Sequence, residues 1–317
     1  MIKNKVFFIF FFISFISLSA NGDIIVDFSY SLERKYKIPS DYTINLLKNY
    51  KYQDFIIKTM DKPAESLPWN RYKKIFLNKN KIDDGIAYFK NNKNDIMIVA
   101  SKFNFPPEIL VAILGVESNY GKYNFSIKAV DALCTLAFHY ERRSKFFLNE
   151  LEYFILYTFK NKIDPNVILS SYAGAIGLPQ FMPSSIIKYG YDFDGDNMVD
   201  LNNSTKDTLA SIANYLIKKG WQHNGPVAYS INKPEKVNIS DMLNKTYSLT
   251  TFKKRITNIK IPVDNNVECK IIQIDNNENQ YDYWLTFKNF DVLKSYNHSN
   301  KYALAVFLLS NELKKSF

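Results

Sequence analysis

Residues 109–121 read ILVAILGVESNYG, so eight apolar or glycine residues stand directly before Glu117. A helix built from this run is apolar on every side and has to be buried among other elements. Pro107 and Glu108 precede the run and are typical of the first turn of a helix. We therefore predict a buried helix that Gly121 ends in a left-handed conformation, with Glu117 near its terminus at the edge of a cleft.

A carboxyl group at the end of such a helix loses hydration, which raises its pKa and keeps it protonated. A general acid that protonates a poor leaving group needs this property. The same segment is equally compatible with a core glutamate that pairs with a lysine or an arginine. From residues 109–121 alone, both interpretations of Glu117 stay open.

The charge of the chain narrows the choice of partner only slightly. The 317 residues carry a formal net charge of +10, which suits an anionic partner such as nucleic acid, an anionic membrane or the cell-wall polymer. Short basic runs such as residues 253–255 are more typical of solvated faces than of nucleic-acid arms, so no nucleic-acid partner is predicted. With only Cys134, Cys269 and three histidines, a zinc site is not expected, because such a site needs three or four clustered ligands. Cys134 lies in an apolar helical pattern that favours a buried free thiol.

Residues 1–20 have the pattern of a secretory signal peptide. Lys3 and Lys5 precede the apolar run 7–16, and small residues follow at Ser17, Ser19 and Ala20. This leader predicts a periplasmic protein. The alternative is an uncleaved leader that keeps the protein at the membrane, although the run is short for a full span. No cysteine directly follows the run, so lipid attachment there is not expected.

The remaining chain is predicted to be an α+β protein that is predominantly helical. We predict a helical region over residues 24–104, a core over 105–224, a small β-containing subdomain over 225–290, and a C-terminal helix over 291–317 that packs back on the body. Runs 267–274 and 281–287 are of β type and are separated by Asn-rich turns. Ser299 is a suitable N-cap for the last helix.

Residues 170–185 (SSYAGAIGLPQFMPSS) form a second candidate site segment. Its small residues let a backbone or a ligand approach closely. Ser171 and Gln180 can form hydrogen bonds with hydroxyl and acetamido groups. The alternative interpretation is a tight structural turn.

Residues 192–200 (DFDGDNMVD) follow the spacing of an EF-hand calcium loop, in which oxygen ligands alternate along the chain. Asn197 replaces the usual glycine but tolerates the left-handed turn, and Asn203 stands where a bidentate Glu would close the site. An acidic solvated turn is the alternative. The predicted ligands are Asp192, Asp194, Asp196, the carbonyl of Met198 and, from farther along the chain, Asp207.

Together with residues 131–143 (DALCTLAFHYERR) and 283–306, these segments resemble the membrane-bound lytic murein transglycosylase B family, the soluble-core type with an embedded EF-hand. They follow the order and similar spacing of that family over most of residues 106–306. The resemblance implies a lysozyme-like fold with structural Ca²⁺ and a peptidoglycan substrate. It also implies cleavage between MurNAc and GlcNAc without water, which leaves a 1,6-anhydro-MurNAc end.

By this resemblance, Glu117 falls on the catalytic glutamate. A retaining or inverting glycosidase normally needs two carboxyl groups, and neither glycan-lining segment offers a second one. We therefore predict that Glu117 acts alone, first as acid and then as base. The resemblance also implies that the paired arginines meet acidic peptide stems. The implied substrate-binding residues are Ser171, Gln180, Tyr215, Asn297, Tyr296, Tyr140, Tyr72, Arg142 and Arg143.

Two other functions remain open at this stage. A hydrolytic muramidase would need a second carboxylate to activate water, and a non-catalytic peptidoglycan-binding protein would keep the cleft without the chemistry. The resemblance departs from the family at Asn197, at residues 118–120 (SNY) after the glutamate, and in the absence of a lipid-carrying cysteine. The expected partners are peptidoglycan glycan strands and cell-wall synthesis proteins, and the expected state is a monomer.

Overall fold

The computed structural model describes residues 7–61, 66–233, 238–255, 261, 263, 266–277 and 280–317, with side chains from residue 22 onward. The helices of these ranges are α1 (Phe7–Tyr36), α2 (Ser40–Lys48), α3 (Asp54–Met60), α4 (Trp69–Phe76), α5 (Lys79–Asn91), α6 (Lys93–Phe103), α7 (Pro107–Ser118), α8 (Ala129–His139), α9 (Ser144–Lys160), α10 (Pro183–Tyr189), α11 (Thr205–Lys218), α12 (Leu249–Arg255), α13 (Lys288–Asn297) and α14 (Asn300–Lys314). The strands are β1 (Ile127–Lys128), β2 (Leu169–Ser170), β3 (Ala228–Ile231), β4 (Thr246–Ser248), β5 (Glu268–Asn277) and β6 (Gln280–Thr286).

The chain forms two compact units. The first runs to Asp61 and includes Phe125–Ile176 and Phe181–Lys188; the second comprises Lys62–Asn124, Gly177–Gln180 and Tyr189–Phe317. The predicted regions 24–104 and 105–224 are therefore each shared between the two units. Helix α1 continues from the predicted leader into residues that follow it, and residues 1–6 of that leader lie outside the described residues.

The first unit is built around α8, which packs against α9 and α3. Its buried Asp131 accepts a hydrogen bond from the Lys51 backbone N–H at 2.8 Å, and Thr135 Oγ1 accepts one from the Gln53 N–H at 3.1 Å. These side chains satisfy the backbone just before α3, whose first-turn donors have no helical partner of their own. Cys134 lies on the same helix as a buried free thiol, as predicted.

Helix α7 is the buried helix that the apolar run predicts. Every residue from Ile109 to Val116 is buried, and α5, α6, α11 and α14 pack around it. Pro107 occupies its first turn, as expected from the missing N–H of proline. None of the described helices is by itself long and apolar enough to cross a membrane. Helices α6 and α7 meet that criterion only as a pair, bent by 119°.

The end of α7 differs from the prediction. The helix stops at Ser118, and Asn119 rather than Gly121 forms the left-handed C-cap, with φ of 52°. Tyr120 and Gly121 also have positive φ, at 59° and 83°. Asparagine tolerates this region, so the turn starts before the glycine. The turn folds the Tyr120 ring back onto Gly115, where an added Cβ would lie 2.6 Å from the ring.

The β-rich segment forms a four-stranded antiparallel sheet of order β3-β6-β5-β4. Its long strands confirm the two β-type runs of the sequence. The register places Ile271 opposite Leu285, and both side chains are fully buried. Leu249 and Phe252 from α12 complete a hydrophobic core with them. The alternation along β6 turns Tyr283 and Leu285 toward this core.

The C-terminal segment forms two helices where the sequence predicted one. His298, with φ of 50°, ends α13 in a left-handed conformation. Ser299 then caps α14, because its side chain accepts a hydrogen bond from the Tyr302 N–H at 3.3 Å. The predicted N-cap is confirmed. The break sets Tyr296 at the end of one helix and Tyr302 in the first turns of the next.

Candidate active site

Glu117 lies in the last turn of α7 with its side chain half-buried. Its Oε1 accepts a hydrogen bond from the Tyr302 hydroxyl at 2.6 Å. Tyr302 is 1% exposed, and burial together with the charge of Glu117 raises its pKa well above the usual range. Tyr302 therefore remains a neutral donor to the carboxylate. A hydrogen bond to a charged group contributes about 1.5–3 kcal/mol.

Two further tyrosines extend this contact. The Tyr302 and Tyr296 rings are nearly parallel, with centroids 6.0 Å apart, and the Tyr296 and Tyr215 centroids are 5.0 Å apart. The Tyr215 hydroxyl donates to the Ser295 carbonyl at 2.7 Å. Burial is the main cause that raises the pKa of both Tyr215 and Tyr296, and the charge of Glu117 adds to it. The carboxylate therefore stands beside neutral phenols.

The Gln180 segment lies against the same tyrosines. The Tyr296 hydroxyl donates to the Pro179 carbonyl at 2.7 Å, and the Leu178 N–H donates to the Leu201 carbonyl at 2.8 Å. Gln180 has φ of 50°, and its side-chain Nε2 donates to the Gly177 carbonyl at 2.8 Å. Tyr215 and Tyr296 thus belong to the row of tyrosines that reaches Glu117 through Tyr302, and Gln180 directly follows Pro179, whose carbonyl Tyr296 contacts.

The other two predicted residues of the second unit differ in exposure. Asn297 follows Tyr296 as the last residue of α13 and is exposed. Tyr72 is 1% exposed and packs between Trp69 and Phe76, with ring centroids 6.2 and 5.1 Å away. Its ring is therefore part of the core beneath the site rather than an open stacking face for a sugar.

The first unit carries the remaining predicted substrate-binding residues. Ser171 closes a tight turn, because its Oγ accepts from the Ala175 N–H at 3.3 Å. Tyr140 and Arg142 both donate to Asp61 Oδ1, at 3.1 and 3.2 Å. The Arg143 guanidinium instead lies 4.3 Å from the centroid of the Phe146 ring. The two arginines therefore have different surroundings, and Arg142 is already paired with an acid that the sequence did not single out.

Lys81 and Tyr302 are site residues that the sequence reasoning missed. Lys81 is 6% exposed, and its Nζ donates to the Gly115 carbonyl at 2.9 Å and to Asn119 Oδ1 at 2.6 Å. Burial lowers its pKa to about 8. Its positive end therefore holds the carboxyl end of α7, where the helix dipole favours a cation. An isolated lysine in an amphipathic helix gives no sequence signal for such a contact.

The acidic loop forms a candidate cation site from three of the predicted ligands. Oxygen atoms of Asp192, Asp194 and Asp196 lie within 4.8 Å of one another. Asn197 adopts the left-handed conformation, with φ of 70°, as its sequence position predicted. Carboxylate oxygens at alternate positions suit Ca²⁺. Met198 is 43% exposed and follows directly in the loop.

Asp207 does not join this acidic cluster. It is 1% exposed, and its two oxygens accept hydrogen bonds from the Phe193 and Asp200 N–H groups, both at 3.0 Å. Because these groups lie on both sides of the loop, Asp207 fastens the loop to the first turn of α11. Its carboxylate satisfies backbone donors, so the structure gives it a bracing contact in place of the ligand position that the sequence suggested.

Comparison with known proteins places this geometry in a family. Residues 23–311 match the family described as Transglycosylase SLT domain. The chain is 31% identical over 274 residues to membrane-bound lytic murein transglycosylase B of Escherichia coli (strain K12), which covers 83% of this chain and 75% of that protein.

Solved structures give the same result. Soluble lytic transglycosylase SltB1 from Pseudomonas aeruginosa has a TM-score of 0.82 at 29% identity, covering 92% of this chain and 98% of that one. Escherichia coli Slt35 in complex with calcium has a TM-score of 0.81 at 30% identity, covering 91% and 92%. Pseudomonas aeruginosa SltB3 in complex with NAG-NAM-pentapeptide has a TM-score of 0.80 at 25% identity, covering 91% and 78%.

A mostly helical fold with small sheets, whose buried central helix ends in one carboxylate, defines a lysozyme-like enzyme that acts on glycans. The chain belongs to the SLT transglycosylase family, and the relatives named above are lytic murein transglycosylases. The predicted family and the predominantly helical, lysozyme-like fold class are thereby confirmed.

Proposed function

We propose that this protein cleaves the β-1,4 bond between MurNAc and GlcNAc in peptidoglycan and leaves 1,6-anhydro-MurNAc ends, in cell-wall remodelling or recycling. The observation that carries the proposal is the hydrogen bond from Tyr302 to Glu117 at the end of α7. It supplies one positioned carboxyl group in a chain that belongs to a family of murein-cleaving enzymes.

In the first step, Glu117 protonates the glycosidic oxygen as the bond from that oxygen to C1 of MurNAc breaks. The Tyr302 hydroxyl donates to Oε1 and so fixes the orientation of the Glu117 carboxyl group. The resulting carboxylate is stabilised by the same phenol. Protonation of the leaving oxygen by a positioned group contributes about 10²–10⁴ to the rate.

In the second step, the Glu117 carboxylate takes the proton from the C6 hydroxyl of MurNAc while O6 attacks C1. The proton given up in the first step is thereby recovered, and no water is consumed. The side chains that these contacts link to Glu117 are phenols, namely Tyr302 directly and Tyr296 and Tyr215 beyond it. A glycosidase that activates water normally uses a second carboxyl group roughly 5–10 Å away.

The remaining polar residues are proposed to bind the glycan strand. Gln180 and Asn297 offer amide groups for the acetamido and hydroxyl groups of the sugars, and the Tyr215–Tyr296 pair forms the wall beside Glu117. In the first unit, Ser171, Tyr140, Arg142 and Arg143 are proposed to contact further sugars or the acidic peptide stems.

The proposed activity is tested by mass spectrometry of intact sacculi digested with the purified protein. We expect products one water lighter than hydrolysed muropeptides. Glu117→Gln should lower the rate at which they form by at least about 10²-fold. Glu312→Gln changes a partly exposed acid at the end of α14 that pairs with Lys315, and as the matched control it should keep full activity.

Two results would contradict the proposal. Products that carry only a reducing end would identify a hydrolytic muramidase. Clearing of peptidoglycan that is the same for Glu117→Gln and for the unaltered protein would identify a binding protein in which this carboxyl group has no chemical role.

We also propose that the acidic loop binds Ca²⁺ through Asp192, Asp194, Asp196 and the carbonyl of Met198. The mutual approach of the three carboxylates supports this, and Slt35 provides a solved relative with calcium. The ion would have a structural role, because the loop precedes α11 and Asp207 already joins the loop to that helix.

Relatives that act on murein imply a location in the cell envelope. Within the envelope we propose the periplasm, reached through the leader at residues 1–20, with attachment to the membrane if the leader is retained. A monomeric state and contacts with cell-wall synthesis proteins are part of the same proposal.

A further inference from the structure

A cavity of about 930 Å³ lies in the second unit, at the opposite end of α7 from Glu117. Helices α7 and α14 are antiparallel, since Tyr302 meets Glu117 at one end and Lys314 pairs with Glu108 at 2.9 Å at the other. Glu108 and Lys314 line the cavity. At a rise of about 1.5 Å per residue, Glu108 and Glu117 are about 14 Å apart along the α7 axis.

We propose that this cavity is a second glycan-binding site, which takes N-acetylated amino sugars of the peptidoglycan strand and holds the enzyme on its insoluble substrate. The inference rests on the proposed glycan substrate but not on the chemistry proposed for Glu117. Small-molecule binding sites in proteins usually have volumes of about 300–1,000 Å³, and the volume of this cavity falls within that range.

Aromatic side chains form much of the wall. The chain has only three tryptophans, and Trp221 and Trp284 both line the cavity, half-buried, together with Tyr229. The third, Trp69, is 1% exposed and packed in the core. Flat aromatic rings with a polar edge stack on the C–H faces of sugars while their N–H or O–H groups reach hydroxyls. The partly accessible tryptophans of this protein are therefore concentrated at one cavity.

The indole N–H groups of these two tryptophans are unusual. Both Nε1 atoms are buried and have no acceptor among the residues that the structure describes. Buried donors in folded proteins are almost always paired, because desolvation without a partner is costly. A sugar held in the cavity would carry hydroxyl and acetamido oxygens, which are acceptors of the kind that these two donors lack.

The polar part of the wall is held in place before any ligand binds. His223 uses both ring nitrogens on Asn104. Its Nδ1 donates to the Asn104 carbonyl at 3.1 Å, and its Nε2 accepts from the Asn104 side-chain Nδ2 at 3.3 Å. The buried Asn289 bonds to the backbone of Gln222 and Gly225 on the same loop. A loop fixed in this way loses little conformational entropy when a ligand binds.

The charges favour a neutral sugar over an anionic ligand. Glu108 and Lys314 are the acidic and basic side chains that line the cavity, and they form an ion pair with each other. Amide and hydroxyl groups of Ser101, Asn104, Asn224 and Asn311 provide further polar surface. This set matches hydroxyl and acetamido groups rather than a phosphate or a peptide carboxylate, which an arginine cluster would recognise.

The first test is nuclear magnetic resonance of Glu117→Gln protein with isotope-labelled tryptophan indoles, titrated with the soluble GlcNAc tetramer. The signals of Trp221 and Trp284 should shift in a saturable manner, while that of Trp69 stays in place. Tryptophan-to-phenylalanine variants assign the three signals. Indole signals of Trp221 and Trp284 that stay unchanged up to saturation of the active-site cleft would overturn the proposal.

The second test measures retention on purified sacculi, again in Glu117→Gln protein so that nothing is cleaved. Trp284→Ala should lower the affinity about threefold to tenfold, the effect of losing one aromatic stack. Tyr281→Ala, on the same strand but outside the cavity, is the control and should bind normally. Asn311→Met, on the exposed face of α14, should also weaken retention without a change in core packing.

Equal retention of Trp284→Ala, Asn311→Met and the control would refute the second site. Thermal unfolding of each variant shows whether it is folded, and Asn311→Met keeps the test valid if Trp284→Ala does not fold. Because neither measurement depends on turnover, failure of the proposed transglycosylase chemistry would leave these results unchanged and is recognised separately from the products of sacculus digestion.

Discussion

Glu117 and Tyr302 are 185 positions apart in the chain, yet a hydrogen bond of 2.6 Å joins their side chains. The phenol is buried and its pKa is raised, so it donates to the carboxylate throughout the neutral range. We assign Tyr302 a positioning role. It fixes one carboxylate oxygen and thereby the orientation of the carboxyl group.

Tyr302→Phe should therefore lower kcat about 10-fold to 100-fold, corresponding to a charged hydrogen bond of about 1.5–3 kcal/mol, with little change in KM. The basic limb of the pH profile of kcat should shift upward, because Glu117 acts first as an acid and keeps its proton to a higher pH when this donor is removed. Steady-state kinetics on a soluble glycan fragment measures both. Tyr281→Phe, exposed on β6, serves as the control, and an unchanged kcat in Tyr302→Phe would exclude the positioning role.

The lowered pKa of Lys81 predicts how the stability of the protein depends on pH. Burial lowers its pKa to about 8 in the folded protein, whereas a lysine in the unfolded chain titrates near 10.4. Below pH 8 both states bind the proton, and the cost of the buried charge is fully present. Between about pH 8 and 10.4 only the unfolded state holds it, so the free energy of unfolding rises with pH.

Comparison with Lys81→Met isolates this effect from other titrating groups. The difference in free energy of unfolding between the unaltered protein and the variant should change by at most about 3 kcal/mol in favour of the unaltered protein from pH 7.5 to 10.4. Chemical denaturation at a series of pH values measures it. A difference that is constant with pH would show that Lys81 titrates normally in the folded state.

At the scale of elements, the end of α7 depends on a close contact between the Tyr120 ring and two glycines, where there is no room for a larger side chain. A Cβ on Gly115 would meet the Tyr120 ring at 2.6 Å, and one on Gly85 of α5 would meet the Tyr120 hydroxyl at 2.5 Å. The two helices therefore approach each other through glycines, with the Tyr120 ring between them. This contact and Lys81 together set the direction of the last turn that carries Glu117.

Gly115→Ala should destabilise the protein by about 1–3 kcal/mol through overpacking, although alanine is the better helix former by roughly 0.5–1 kcal/mol. Because the last turn of α7 moves with the clash, activity should fall as well. Differential scanning calorimetry and a sacculus assay report the two effects. Gly22→Ala, where an added Cβ has nothing within 4 Å, is the matched control and should not be destabilised.

The acidic loop before α11 is the other element whose behaviour is predictable. Ca²⁺ at about 100 times its Kd should raise the free energy of unfolding by about 2.7 kcal/mol, and Asp194→Asn should reduce this gain. Asp207→Asn should lower the melting temperature with or without Ca²⁺, because its carboxylate braces the loop. A melting temperature that neither Ca²⁺ nor a chelator changes would contradict calcium binding. Asp241→Asn, exposed and distant in sequence, is the control.

For the whole molecule, the sequence was informative where local pattern decides local structure. The apolar run 109–116 has to be buried, because no face of it is compatible with water, and Pro107 and Glu108 before it predict a helix. Alternating residues at 267–274 and 281–287 predict paired strands, and Ser299 predicts the start of α14. The acidic spacing at 192–200 brings three carboxylates together because a tight turn folds alternate residues inward.

Other features needed the folded chain, since they depend on residues far apart in sequence. Asn119 ends α7 because Tyr120 packs on two glycines, one of them in another helix, and no local signal shows that contact. Asp207 braces the loop because its carboxylate accepts hydrogen bonds from the backbone N–H groups of Phe193 and Asp200. Tyr72 is of a residue type that can stack on a sugar ring, but the Trp69 and Phe76 rings pack against it.

The sequence by itself determined that a buried helix presents a carboxyl group at Glu117, and that this helix belongs to a mostly helical protein, because the order of apolar and polar residues is a property of the chain. Only the tertiary structure decided what surrounds that carboxyl group: Tyr302 from the last helix, Lys81 beneath the final turn, and a tryptophan-lined cavity at the far end of α7. The physical reason is that side-chain partners across long sequence separations are chosen by packing, which acts only once the helices have met.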